Sequence, residues 1–560
     1  MKHRLIIIAT LLLTPPISLS AADTNRPNIL LVCVDDLKPA LGCYGDAMAK
    51  TPNIDALAAR SMLFESAYCN QAVCSPSRNA LMTSLRPQTL GIYDLATNFR
   101  KSRPNAVTMA QHFHQSGYKT QALGKIMHVG HGNHEDTASW DIPHFGGKTV
   151  AYALKENQAP TREGALFDNK RPDELPRGAP TESADVPDET YSDGQIAAEA
   201  IRRLQAAKND QQPFFLAVGF LKPHLPFVAP KRYWDLHDPA KLPQPTRLTP
   251  PDGAPDFAPQ SGGELRNYAG IPDGKKPIPE EQTRHLIHGY YAATSYMDAQ
   301  LGKVLDQLKK LELEKNTIVV LWGDHGWHLG DHGIWCKHTN YEQATRIPLL
   351  IAVPGTKATR TKALVETVDI YPTLAELAGL PAREGLDGKS FAAVLQGSQP
   401  AHRSFVTHVY PRKNLLGRAV RDGRYRLVEW KKIGAAATTA EYELYDYQTD
   451  PGETENLASA QPEVVKTLSA LLQQMPEAHA QISANANTKK APARPRAGKD
   501  RATMFADRDT NRDDKLSREE FLSNQPDPQE APARFTRFDV NHDGELSKDE
   551  FVGSGAGRKP

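Results

Sequence analysis

Asn28-Ile-Leu-Leu-Val-Cys-Val34 runs directly into Asp35-Asp36. An apolar run without polar alternation matches a strand buried on both faces, as in a parallel sheet covered by helices. Ligands of such sheets gather beyond the C-terminal ends of the strands, where the two carboxylates stand. Phe214–Phe220 and Thr317–Trp322 are apolar runs of the same kind, and Thr120–Leu123 before Gly124 reads as a shorter strand. Gly323-Asp324-His325-Gly326 closes the 317–322 run as Asp35-Asp36 closes the first. Helical patterns lie between: one opened by Pro52-Asn53 and running to about Tyr68, one at Val107–Ser116, and one at Leu286–Leu311. Strands alternating with helices predict an α/β sandwich around a mostly parallel sheet.

Between the first two strand runs lies Cys74-Ser-Pro-Ser-Arg78. One soft ligand without a nearby partner is a poor metal or disulfide arrangement. The pentapeptide suits a reactive residue at the start of a helix. Pro76 fits the first turn without losing a bond, and the following Asn79-Ala-Leu-Met-Thr83 is helix-compatible. Cys74 then sits where backbone N–H groups and the helix dipole favour an anion.

The chain has 560 residues, more than one ordinary core accommodates. Lys and Arg total 67 against 66 Asp and Glu, so no net field argues for nucleic acid as a partner. Residues 1–22 read as a secretory signal: Lys2, His3 and Arg4, the apolar run Leu5–Leu13, then small residues through Ala22. The alternative is a membrane anchor, but the run is short for a bilayer. The mature chain is expected to be periplasmic or secreted, without a membrane span. Cys33, Cys43, Cys69, Cys74 and Cys336 are too few for a disulfide scaffold, and Cys33 reads as a buried thiol within its strand.

The texture changes near residue 400. Ala419–Val428 reads as a hairpin turning at Asp422-Gly423, and Tyr442–Asp446 and a helix near Glu463–Gln473 follow. The expected organisation is a catalytic domain over 23–400, a smaller antiparallel subdomain over 401–479, a Pro-, Ala- and basic-rich linker over 480–500, and a tail over 501–555. The tail holds two units with oxygen ligands at positions 1, 3, 5, 9 and 12 and a backbone carbonyl at 7. In the first these are Asp509, Asn511, Asp513, Ser517, Glu520 and the Lys515 carbonyl. In the second they are Asp539, Asn541, Asp543, Ser547, Glu550 and the Glu545 carbonyl. That is the EF-hand Ca²⁺ pattern, and an all-α pair is expected. Gly544 suits the turn of the second loop, whereas Asp514 in the first tolerates the left-handed conformation less well.

The motif Cys74-Ser-Pro-Ser-Arg78, continuing into Leu81-Met82-Thr83-Ser84, resembles the signature of the type I sulfatases. Gly124-Lys125-Ile-Met-His128 and Lys222-Pro223-His224-Leu-Pro226-Phe227 are similar to two further segments of that family, in matching order over residues 26–460. His325, where most sulfatases carry Asn, and Trp335-Cys336-Lys337 resemble the iduronate-2-sulfatase branch. The resemblance implies an alkaline-phosphatase-like fold and oxidation of Cys74 to Cα-formylglycine by a formylglycine-generating maturation enzyme. It implies a Ca²⁺ site made of Asp35, Asp36, Asp324, His325 and the Cys74-derived oxygen. An oxygen-rich set also favours Ca²⁺ or Mg²⁺ over zinc.

The roles follow from the same resemblance. A sulfate ester is an anion, so Arg78, Lys125, Lys337 and the metal would neutralise its charge. One hydroxyl of the formylglycine hydrate would attack sulfur with help from Asp324. His224 would protonate the departing sugar oxygen, and His128 would take the proton of the other hydroxyl. A plain serine would be left as a stable sulfate ester. His112, His114, His131, His134, His328, His332 and His338 have no comparable warrant.

The expected substrate is a sulfated carbohydrate, best matched by a 2-O-sulfated uronic acid. Lys125, His128, His224 and Lys337 look like more cations than one sulfate needs, which suggests a second anionic group on the substrate. Two alternatives stand beside this reading. One is a phosphate or phosphonate monoester hydrolase of the alkaline phosphatase superfamily. The other is an inactive Ca²⁺-dependent adhesion or scaffold protein.

Overall fold

The computed structural model describes residues 26–147, 151–210, 212–260, 262–274, 276–482, 501–523 and 531–553. The expected signal segment 1–22 and nearly all of the expected linker lie outside the described residues. The chain divides into two compact units, Met1–Ala484 and Asn485–Pro560.

The first unit is built on a nine-stranded sheet. Its strands are β1 (Asn28–Val34), β2 (Met62–Tyr68), β3 (Lys119–Gly124), β4 (Ile142–Phe145), β5 (Phe214–Phe220), β6 (Thr317–Gly323), β7 (Arg346–Ala352), β8 (Thr359–Thr361) and β9 (Val365–Glu366). The spatial order is β8-β2-β7-β6-β1-β5-β3-β4, with β9 also on β2. All pairs are parallel except the two made by β7, which runs against β2 and β6. The sheet is therefore mixed.

β1 is buried along its whole length. Ile29, Leu31 and Cys33 pack with Leu81, Met82, Phe113 and Leu374 on one face. Leu30, Val32 and Val34 pack on the other with Ile196 and Leu204 of helix Ser192–Lys208, and with Met297, Leu301 and Val304 of helix Glu280–Lys310. Two apolar faces on each central strand explain why the strand runs do not alternate. Each such aliphatic side chain is worth about 1.5–3 kcal/mol when fully buried.

The expected helix from Pro52 to Tyr68 ends at Ala58, and Met62–Tyr68 is β2 instead. Its side chains split between the two faces of the core: Met62, Phe64 and Ala67 lie on one and Leu63 on the other. Pairing with β7 on one side and with β8 and β9 on the other overrides local helix propensity.

Four neighbouring parallel strands, β3, β5, β1 and β6, end at one edge. Val34 stands opposite Gly323 and Gly124 opposite Gly219, so the residues that follow are brought together. The β3–β5 end is unusually close. The Lys125 amide donates to the Gly219 carbonyl at 3.0 Å, and a Cβ on Gly219 would collide with the Lys125 backbone. Gly219→Ala is therefore expected to destabilise the unit by about 3 kcal/mol or more. A melting temperature lowered by several degrees would register this, and an unchanged value would show that the loop yields.

The smaller sheet is antiparallel, with strands Val406–Arg412, Leu415–Arg421, Tyr425–Lys431 and Glu441–Asp446 in sequence order. Its central hairpin turns at Asp422-Gly423, where Asp422 Oδ1 accepts the amides of Arg424 and Tyr425 at 2.7 and 2.6 Å. Leu468 and Leu472 of helix Pro462–Leu472 pack on Val420, Leu427 and Leu444.

The second unit contains helices Arg501–Arg508, Arg518–Leu522, Ala531–Phe538 and Lys548–Gly553. It is not all-α: Lys515–Ser517 and Glu545–Ser547 pair as a two-stranded antiparallel ladder. Phe505, Leu516, Phe521, Phe535, Leu546 and Phe551 form its core. Glu520 accepts hydrogen bonds from the Thr510 and Ser517 amides, and Glu550 from those of Val540 and Ser547, closing each loop on itself. Among the described residues, no helix is long and apolar enough to cross a membrane.

Candidate active site

Cys74 is the first residue of helix Cys74–Thr83, which is buried throughout. Arg78 lies one turn later on the same face, which accounts for the Cys-x-x-x-Arg spacing. Its guanidinium donates from Nε to Asp324 Oδ2 at 3.0 Å and from Nη2 to Asp35 Oδ1 at 2.9 Å. It also reaches the carbonyls of Lys125 and Ile126. One buried cation thus ties together the ends of β1, β3 and β6. Ser77 Oγ, donating to the Asp324 carbonyl, docks the helix on the same edge.

Asp36 has a left-handed backbone (φ 61°), and its amide donates to Asp324 Oδ1 at 2.9 Å. The His325 amide donates to that oxygen at 3.0 Å. The Cys74 sulfur lies 3.4 Å from His325 Nε2 and 3.9 Å from Asp36 Oδ1. Burial and the Asp35 carboxylate push the Cys74 thiol up, against the pull of Lys125 and Lys337. The helix start does not make this thiol a ready thiolate, contrary to the reading of its position in sequence.

Lys125 and Lys337 flank this group. Lys125 Nζ rests on Asp35 Oδ2. Lys337 Nζ lies 3.1 Å from Asp36 Oδ1 and 2.8 Å from Glu264 Oε2, over the Trp327 ring. Burial alone would raise the Asp35 carboxyl, but Lys125, His224 and Arg78 outweigh it and hold it well below its usual range.

His224 donates from Nδ1 to the Leu225 carbonyl at 2.6 Å, and its Nε2 lies 3.1 Å from Glu264 Oε1. Burial disfavours its charge, yet the Asp36 and Asp35 carboxylates push it up to about 10. A cation on those carboxylates would weaken that support, leaving Glu264 to hold the proton on Nε2. His128 has the opposite environment. Burial, then Lys125 and His131, hold it well below the usual histidine range, and its Nε2 lies 3.2 Å from His131 Nδ1.

The expectation of spare cations is not met. His128 is neutral, and Lys125, His224 and Lys337 each rest on a carboxylate. Arg78, Lys125, His224 and Lys337 face Asp35, Asp36, Asp324 and Glu264, four against four. The side chains alone carry no surplus of positive charge.

Sequence reasoning missed Glu264, which bridges His224 and Lys337 from a Gly-rich loop with no motif or period to mark it. It also missed Phe167, whose ring meets Lys125, His131 and His224. His338 adjoins Lys337, and burial lowers it to about 3. Its carbonyl accepts from Arg412 of the antiparallel sheet. The other histidines set aside stay outside the cluster: His112 packs on Tyr371, His114 pairs with Asp141, the His134 carbonyl accepts from Asn98, and His328 and His332 bond Thr339 and Thr249.

Two groups have ligand atoms within 4.8 Å of one another: Asp36, Cys74, Asp324 and His325, and Asp35, Asp36, Cys74 and His224. Asp36 belongs to both groups, with Asp35 beside it in one and Asp324 in the other, and buried carboxylates of this kind suit a hard divalent cation. Among the described residues, no such group of three or more His, Cys, Asp or Glu lies in the tail. All five cysteines are free thiols.

A parallel-sheet edge that converges carboxylates, two lysines and a helix-borne cysteine on one point defines a hydrolase for an anionic ester. Residues 27–380 match the sulfatase family, and residues 330–481 match the family described as N-sulphoglucosamine sulphohydrolase, C-terminal. The chain is 38% identical to iduronate 2-sulfatase of Mus musculus over 394 residues, covering 64% of this chain and 70% of that one. It is 32% identical to a sulfatase of Formosa agariphila over 452 residues, 78% of this chain and 84% of that one. Phosphonate monoester hydrolase of Agrobacterium radiobacter shares the fold, with a TM-score of 0.63 at 22% identity over 80% of this chain and 95% of that one. The chain belongs to the sulfatase family. It is a sulfuric ester hydrolase with an alkaline-phosphatase-like α/β fold.

Proposed function

We propose that the chain hydrolyses sulfate esters of carbohydrates, with Cys74 matured to formylglycine and Ca²⁺ held by Asp35, Asp36, Asp324 and His325. The carrying observation is the Cys74 sulfur at 3.4 Å from His325 Nε2, in a group with Asp36 and Asp324. The formylglycine hydrate would supply the attacking hydroxyl and a second one whose deprotonation frees sulfate. Bound Ca²⁺ would supply Lewis acidity toward the sulfate oxygens.

The remaining work belongs to this chain's side chains. Asp324, anchored by Arg78 and two amides, is set to accept a proton beside residue 74. Lys125 and Lys337 are held by carboxylates at fixed positions, so their N–H groups meet the non-bridging oxygens without reorganisation. His224 carries a proton on Nε2 for the departing sugar oxygen, and neutral His128 accepts one.

For the substrate, His325 and the identity with iduronate 2-sulfatase favour a 2-O-sulfated uronic acid. Recognition of its carboxylate by one charge-assisted contact is worth roughly 1.5–3 kcal/mol, or about ten- to a hundredfold in kcat/KM. Sulfate release from such a uronate should exceed release from the matching neutral sulfated sugar by that factor. Equal rates would remove the uronate and leave sulfatase chemistry standing.

The phosphonate monoester hydrolase likeness keeps a second reading in view, and matched sulfate and phosphate esters separate the two. The assembled site argues against an inactive scaffold. Unmodified Cys74 in protein from its own host would favour one.

The Met1–Ala22 segment supports export to the periplasm or beyond. In the tail, ligand spacing and the buried, unpartnered Asp539 Oδ1 support Ca²⁺ binding by the two loops, through Asp509, Asn511, Asp513, Lys515, Ser517 and Glu520 and through Asp539, Asn541, Asp543, Glu545, Ser547 and Glu550.

A further inference from the structure

We infer that His131 and Glu163 form an outward path for the proton that His128 collects. This rests on the proposed reading of His128 as a base. Near neutral pH, water and a sulfate monoester anion yield an alcohol, a sulfate dianion and one proton. The S–O bond to the sugar breaks, an S–O bond to water's oxygen forms, and no electrons change hands. One proton per turnover must therefore leave, and His128 is only 3% exposed.

His128 Nε2 lies 3.2 Å from His131 Nδ1, while His128 Nδ1 has no partner. His131 Nε2 in turn lies 3.9 Å from Glu163 Oε1, near enough for a small rotation or one water to connect them. The Glu163 side chain is 13% exposed and gives the path its outer end. His131 is held for this role. It has φ 55° between two left-handed glycines, Gly130 and Gly132, and its amide donates to the Leu166 carbonyl at 2.8 Å. That bond ties the loop to helix Arg162–Phe167, which carries Glu163, and the Phe167 ring edge closes one side of the imidazole.

Burial and neighbouring Lys125 keep both rings neutral, His131 titrating at about 4. The charged groups facing the pair are Lys125, Arg78 and Asp35 around His128, and Lys125, Glu264, His224, Lys337 and Glu163 around His131. A proton arriving on one nitrogen of His128 displaces the proton on the other toward His131. His131 passes one to Glu163, which releases it to water, and tautomer exchange restores each ring.

His131→Asn should lower kcat about tenfold with KM nearly unchanged, and added imidazole should restore much of the loss. In wild-type protein without substrate, ¹⁵N spectra of the histidines should show one proton shared between the facing nitrogens. A wild-type kcat in His131→Asn, a loss that imidazole does not relieve, or facing nitrogens both bare or both protonated would each overturn the path. The wild-type spectra decide the matter even if the variant fails to fold. His128→Ala separates the two readings: a wild-type rate would remove His128 as base and the path with it. An inactive His128→Ala beside a fully active His131→Asn would remove the path alone.

Discussion

Cys74→Ala is expected to cut sulfate release by at least about 10⁴-fold, because the proposed nucleophile is lost outright. The fold should survive. Cys74 is buried, but deleting one sulfur leaves a small cavity worth about 1 kcal/mol, and the Arg78 bridges stay in place. Cys74→Ser is the more telling variant. It offers one hydroxyl for attack and no second one to expel sulfate, so intact-mass measurement should find sulfate retained on the enzyme. Peptide mass spectrometry of active wild-type protein should show an aldehyde at position 74. An unmodified thiol in fully active protein would defeat the mechanism.

Asp324→Asn is expected to lower kcat by about 10³-fold or more and to weaken Ca²⁺ binding at the active site, as calorimetry would show. One carboxylate serves three purposes here: it lies in the candidate metal group, pairs with Arg78 and receives the Asp36 and His325 amides. Asn keeps the shape, whereas Ala would also leave a buried guanidinium short of a partner, at a cost of about 3–5 kcal/mol. Glu550→Ala supplies the contrast. It should weaken Ca²⁺ binding in the tail and leave catalysis unchanged. Full activity in Asp324→Asn would remove Asp324 from the chemistry. Loss of catalysis on deleting 501–560 from a folded, Ca²⁺-loaded core would show that the tail is no separate module.

The charge balance narrows what selects a substrate. Lys125 and Lys337 each rest on a carboxylate, so no idle lysine between them marks a place for a second anionic group. The loop carrying Glu264 and the helix Arg162–Phe167, through Phe167, border the same cluster. Glu264 is a positioning residue in this arrangement: it holds the Lys337 ammonium and the Nε2 side of His224 from one carboxylate.

Residues near one another in sequence carried most of what could be read without a structure. The apolar runs of β1, β5 and β6 announce strands buried on both faces, because a chain pays for five or six consecutive apolar side chains only inside a core. The carboxylates and histidines directly after those runs follow from the rule that parallel strands present their C-terminal ends together. The Cys74–Arg78 spacing is one helical turn, a local property that sequence displays directly. Strand β2 and the Glu264 bridge were not legible in this way. Met62–Tyr68 is a strand because β7, nearly 300 residues away, offers it a ladder, and local propensity cannot register a distant partner. Protonation was equally hidden: His128 and His224 look alike in sequence, yet burial beside Lys125 keeps one neutral while Asp36, Asp35 and Glu264 keep the other charged. Electrostatic environments are sums over neighbours in space, and only the tertiary structure decides who those neighbours are.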